Sequence, residues 1–165
     1  MNPWRRLLLI GVVGFVSVCV VYPCLHELGH GIMAYVCGAD EIRMGIFPMA
    51  YTAYKNANFT PVSQVLIGLS GYGFPLCLTL LPTMDKFWIW LPMFYVRWIT
   101  LIGCGIAIAG LIGVAVEEDI TRLAMMTQSR KEVWLVWVFV VTGWLLWDMI
   151  WKKPITKIVE YICIA

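Results

Sequence analysis

Long apolar runs separated by short polar stretches set the organisation of this chain. Leu7 to Val21 is apolar apart from Ser17 and two glycines, and the pattern continues past Pro23 to about Val36. A first helix is expected over Leu7–Val36, stopping at Gly38. It exceeds the ~20 residues a bilayer requires, and Pro23 is placed to kink it. Ala39–Thr60 has no clear span, and the imperfect alternation of Ile46–Tyr54 predicts a short hairpin or re-entrant loop. Pro61 suits the first turn of a second helix ending near Leu81. Its middle, Gly68–Pro75, holds three glycines, implying a kink or a close backbone approach. After a polar turn over Pro82–Lys86, Phe87–Val116 reads as one span preceded by an interfacial stretch, with two short spans as the rival. Within it Gly105, Ala109 and Gly113 form a small-xxx-small stripe suited to close helix packing. A polar stretch over Glu117–Glu132, a fourth span over Val133–Trp151 and a short tail carrying Lys152, Lys153 and Lys157 complete the chain.

Composition turns these runs into a solvent assignment. Apolar residues make up 61% of the 165 residues and charged residues 13%, with a mean hydropathy of +0.82. Soluble domains carry about 25% charged residues, so the lipid bilayer is the expected surrounding. The expected fold is an all-α polytopic, multi-pass membrane protein with about four transmembrane helices, forming a single domain over 1–165. Trp4, Trp88, Trp90, Trp144, Trp147 and Trp151 lie near the ends of apolar runs, as interfacial anchors do. The net charge of +2 is small and scattered, which points away from nucleic acid. Arg5 and Arg6 before an apolar run imitate a signal peptide, but no small-residue cleavage site follows, so a retained span is expected. Loop Lys and Arg residues divide almost evenly, tilting both termini weakly toward the cytosol. The six cysteines have no C-x-x-C spacing and read as small buried apolar residues. Arg97 is expected to snorkel or pair near an interface, and Asp148 to pair with Lys152 four residues on.

The chemistry lies in His26-Glu27-Leu28-Gly29-His30, which contains both histidines of the chain. Residues four apart share a helix face, so both imidazoles can reach one Zn²⁺. Glu27 then stands beside the first ligand as a general base for a metal-activated water. Ionisable groups inside a membrane segment are costly and mark function. The motif is expected roughly 28 Å along the axis from Leu7. Catalytic zinc usually takes three protein ligands, and no third histidine exists. The candidates are Glu117, Glu118 and Asp119 at the end of the third span. The first and third helices run parallel in an up-down-up path, so this cluster and His30 finish on one side. If the third helix continues, Asp119 shares a face with Ala115, Ile112, Ile108 and Gly105, and Glu117 with Gly113, Gly110 and Gly103. Spacing alone leaves the choice open.

At these residues the chain resembles the site-2 protease family of intramembrane zinc metalloproteases. The resemblance rests on HELGH followed by Ala34 and Gly38, on Ser70-Gly71-Tyr72-Gly73, and on Asp119 with Arg122 three residues later. It departs from the family in Tyr72 where a proline is usual, in Ile120 after the aspartate, and in lacking the upstream asparagine-proline pair. The resemblance implies Asp119 as third ligand and Glu27 as catalytic base. It further implies a catalytic core without regulatory domains, cleaving a membrane-spanning or membrane-proximal segment of a membrane protein substrate. By the same likeness the Ile46–Tyr54 loop would offer the substrate a strand edge. The alternative is a non-catalytic membrane scaffold or regulator that keeps the fold. A channel or transporter would call for repeats or paired half-helices, which the sequence does not have.

Overall fold

A computed structural model describes residues 2–47, 50–55, 58–80, 86–115, 119–126, 130–151 and 154–163. The chain runs α1 (Pro3–Val16), a π-helical turn (Ser17–Val21), α2 (Tyr22–Val36), β1 (Glu41–Gly45), β2 (Tyr51–Lys55), α3 (Pro61–Leu80) and α4 (Phe87–Leu111). α5 (Asp119–Met126), α6 (Lys131–Trp151) and α7 (Pro154–Cys163) follow. Four helical stretches among the described residues are long and apolar enough to cross a membrane. They are Pro3–Val36, Pro61–Leu78, Phe87–Leu111 and Lys131–Cys163. The fold is thus mostly helical, with one small two-stranded sheet.

The first helix starts at Pro3, earlier than expected, because Asn2 caps it by accepting the Trp4 N–H. Proline at N1 gives up no hydrogen bond there. Ahead of Pro23 the helix widens by one residue, and Tyr22 N–H bonds Ser17 O five residues back. Pro23 has no N–H for the carbonyl of Cys19, and at the position where a kink is expected the helix carries a π-bulge. One extra residue rotates the following face by about 100°, which sets the phase of α2 relative to α1. α2 ends where Gly38 takes φ +94, a backbone that glycine adopts without strain.

The segment after α2 is the hairpin option of the two expected. β1 and β2 pair antiparallel, with Met44 opposite Thr52 and Arg43 opposite Ala53. Pro48 and Met49 lie outside the described residues, as does most of the Pro82–Lys86 turn. α4 is a single helix, but it stops earlier than Val116. Gly113 turns at φ +109, and Val114 N–H bonds Ala109 O across the end. A glycine past the last turn closes a helix by satisfying its final carbonyls. The small-residue stripe is not a packing face: a Cβ at Gly105 or Gly113 would meet nothing within 4 Å. α4 packs instead through Thr100, Cys104, Ala107 and Leu111. Leu111, Ile120, Leu123, Trp134 and Val138 close one core joining α4, α5 and α6.

Packing revises further expectations. Arg97 is buried in α4, and its Nη1 lies 3.1 Å from Asp148 Oδ2 on α6. A guanidinium enclosed by apolar helices needs a counter-charge, and Asp148 supplies it from α6; Lys152, the partner expected for Asp148, lies outside the described residues. The lysine-bearing end is no tail, because Pro154–Cys163 folds as α7. Ile158, Tyr161 and Ile162 pack on a cluster with Ile10, Trp90 and Phe94, and Arg6 Nη1 donates to Tyr161 O at 2.8 Å. Trp90 therefore belongs to the core, stacked on Phe94 at 5.1 Å, while Trp4, Trp88, Trp144, Trp147 and Trp151 remain exposed. All six cysteines are free, and of these Cys104 is buried while Cys19, Cys77 and Cys163 face outward.

Candidate metal centre

α2 carries His26, Glu27 and His30, and α3 packs directly against it. The contact is close because two glycines permit it. A Cβ on Gly29 would overlap Ser70 O, and a Cβ on Gly71 would overlap the His30 ring. The expected close approach around Gly68–Pro75 is therefore where the histidines sit, and Tyr72 adds its ring edge-on to His26 at 5.2 Å.

Asp119 arrives from elsewhere. It does not continue the α4 face, because Gly113 has already ended that helix. It is the first residue of α5, which is anchored by Ile120, Leu123 and Ala124 in the core. Leu123 fills the space left by Gly68, locking α5 onto α3. Glu117 and Glu118, the other candidates, lie outside the described residues.

His26 Nε2 is 3.0 Å from Asp119 Oδ2, His30 Nε2 is 3.2 Å from the same oxygen, and the two ring nitrogens are 3.1 Å apart. His30 Nδ1 lies 2.7 Å from Ile67 O. A carbonyl only accepts, so Nδ1 carries the hydrogen and Nε2 of neutral His30 presents a lone pair. That lone pair faces a carboxylate oxygen and a second ring nitrogen, which repel it unless a proton or metal cation occupies the centre. The backbone bond to the distal nitrogen is the usual device for orienting a metal-binding histidine. Burial works to raise the pKa of Asp119, but with a proton in the centre the hydrogen bonding and positive charge of the His26–His30 pair outweigh it and hold the carboxyl well below the usual range. Its place in the first turn of α5 adds favourable helix-dipole charge. The nearly equilateral triangle suits a first-row divalent ion: ligands ~2.0–2.1 Å from a tetrahedral zinc lie about 3.3 Å from one another. Its sides alone do not separate zinc from other ions that take two histidines and a carboxylate.

The three ligand candidates and Glu27 line one cleft of about 570 Å³. Tyr51, Thr52 and Tyr54 of β2 and Gln64, Gly68 and Arg122 line it as well. Thr52 Oγ1 donates to Glu27 Oε2 at 2.7 Å and also lies 3.0 Å from Glu27 O. Sequence reasoning assigned no role to Thr52 or Ile67. Alternation in β2 points Thr52 inward, but nothing local pairs it with Glu27. Gly71 carries part of the resemblance, and its physical reason is the space it leaves for two imidazoles. The chain matches no protein-family model, no curated protein and no solved structure.

Proposed function

We propose that the protein is an integral membrane zinc endopeptidase of the site-2 protease kind, cutting a membrane-spanning or membrane-proximal segment of a membrane protein. The observation that carries this reading is Glu27 in the same cleft as the His26, His30 and Asp119 triangle. Two histidines and a carboxylate can hold several metals, but a carboxylate base adjoining the first ligand belongs to hydrolytic zinc sites. The bilayer is supported by the outer surface. Phe15, Val20, Ile102, Ile106, Val140 and Trp147, all on helices long and apolar enough to cross a membrane, are exposed, as side chains facing lipid would be.

His26, His30 and Asp119 would hold the ion, with His30 fixed by Ile67 O. When bound, zinc supplies Lewis acidity and lowers the pKa of water in the cleft. Glu27 removes a proton from the attacking water and returns it to the leaving amine. Thr52 occupies one carboxylate oxygen, Oε2, and leaves Oε1 for that transfer. The hairpin borders the cleft through β2, where an extended substrate backbone would lie.

Glu27→Gln tests the reading. It should keep metal, because no ligand is altered, and lower hydrolysis by about a hundredfold or more. Elemental analysis identifies the ion, and membrane proteins that accumulate in cells expressing the variant identify substrates. Wild-type turnover by Glu27→Gln, or a purified wild type carrying iron and no zinc, would end the proposal.

A further inference from the structure

Glu27 has three rotatable side-chain bonds, and holding its carboxylate in one place costs entropy unless something anchors it. The anchor comes from another element. Thr52 Oγ1 lies at the short distance typical of a hydroxyl donating to a carboxylate, and within reach of the Glu27 carbonyl too. Thr52 is the half-buried residue of β2, between exposed Tyr51 and Ala53. Its β-branched side chain is stiff about χ1, so the hydroxyl goes where the strand backbone takes it. The strand in turn is seated on α2. β1, paired with it, sets Met44 Sδ and Ile42 Cγ2 over Gly31, where a Cβ would meet them at 2.9 and 3.5 Å. Thr52 thus transmits the placement of the hairpin to the carboxylate of Glu27.

We propose that Thr52 is a positioning residue for the general base, so that Glu27 is competent only while the β1–β2 hairpin is docked on α2. The catalytic half of this inference rests on the peptidase reading above. The mechanical half, a hydroxyl tie between hairpin and helix, does not.

The mechanical half is tested by hydrogen exchange on the full chain in lipid nanodiscs, which requires no peptidase activity. Thr52→Val and Glu27→Ala should each speed exchange of Glu41–Gly45 and Tyr51–Lys55, and the double variant should add nothing further. Unchanged exchange in Thr52→Val, or additive effects, overturns the tie. The catalytic half is tested with a quenched library of single-span helical peptides reconstituted with the protein. Thr52→Val should lower kcat by about ten- to a hundredfold, the loss of one charge-assisted hydrogen bond. KM should stay within about twofold and zinc content should equal wild type. Thr52→Ser, which restores the hydroxyl, should recover most of kcat. A Thr52→Val enzyme with wild-type kcat, or a serine variant no better than valine, overturns the role. A wild type that cleaves none of the peptides removes the peptidase reading and the catalytic role together, while the exchange result still decides the tie.

Discussion

Gly71 offers a way to damage the centre without touching a ligand. In Gly71→Ala the new Cβ would overlap Nε2 and Cε1 of His30 and come within 2.8 Å of Cε1 of His26, where ordinary contact begins at 3.4 Å. The two rings, or the helices bearing them, must then shift by about 0.6 Å or more. Separating α2 from α3 is no easy escape, because Gly29 already lies against Ser70 O. Zinc–ligand distances tolerate about ±0.2 Å, so the centre is expected to lose at least the ten- to hundredfold in affinity that follows loss of an outer-shell partner. Overpacking should also cost about 1–3 kcal/mol of stability. Gly73→Ala is the control two residues on, since a Cβ there meets nothing within 4 Å. It should keep zinc and gain about 0.5–1 kcal/mol from the lower entropy of an alanine helix. Chelator competition and equilibrium unfolding in detergent, run on both variants, read the two effects. If Gly71→Ala binds zinc with wild-type affinity, the imidazoles do not meet over α3 and the site as described is incorrect.

Two other outcomes are expected. Asp119→Asn should lose most zinc affinity and activity, since an amide is a much poorer zinc ligand than a carboxylate, and full zinc occupancy by elemental analysis would remove Asp119 from the centre. Asp148→Leu takes the carboxylate from Arg97, which is 3% exposed, and should cost about 3–5 kcal/mol in equilibrium unfolding. The joint variant Arg97→Met with Asp148→Leu should recover most of that loss, and a double variant as unstable as the single would show that the ion pair does not govern this core.

Local signals determined much of the protein from the sequence. Apolar runs of bilayer length, Pro61 at a helix start and Gly38 at a helix end work through a few neighbouring residues, so periodicity and backbone preference suffice to read them. The same holds for His26, Glu27 and His30, because a spacing of four on any helix puts both imidazoles on one face. Where packing decides, the sequence was silent or misleading. Regular spacing of Gly105, Ala109 and Gly113 looked like a contact stripe, yet the helix turns its other faces inward and Gly113 ends it. Arg97 and Asp148 each had a bland local explanation until α4 and α6 came together around them. α7 is held by Ile10, Trp90 and the Arg6 guanidinium, none of them near it in the chain. The centre divides in the same way. Its two histidines are local, but His26 meets Asp119 across 93 residues and Glu27 meets Thr52 across 25. Such pairs depend on where a bulge rotates α2, where a glycine stops α4 and which core residues pin α5, and only the packed tertiary structure sets all three at once.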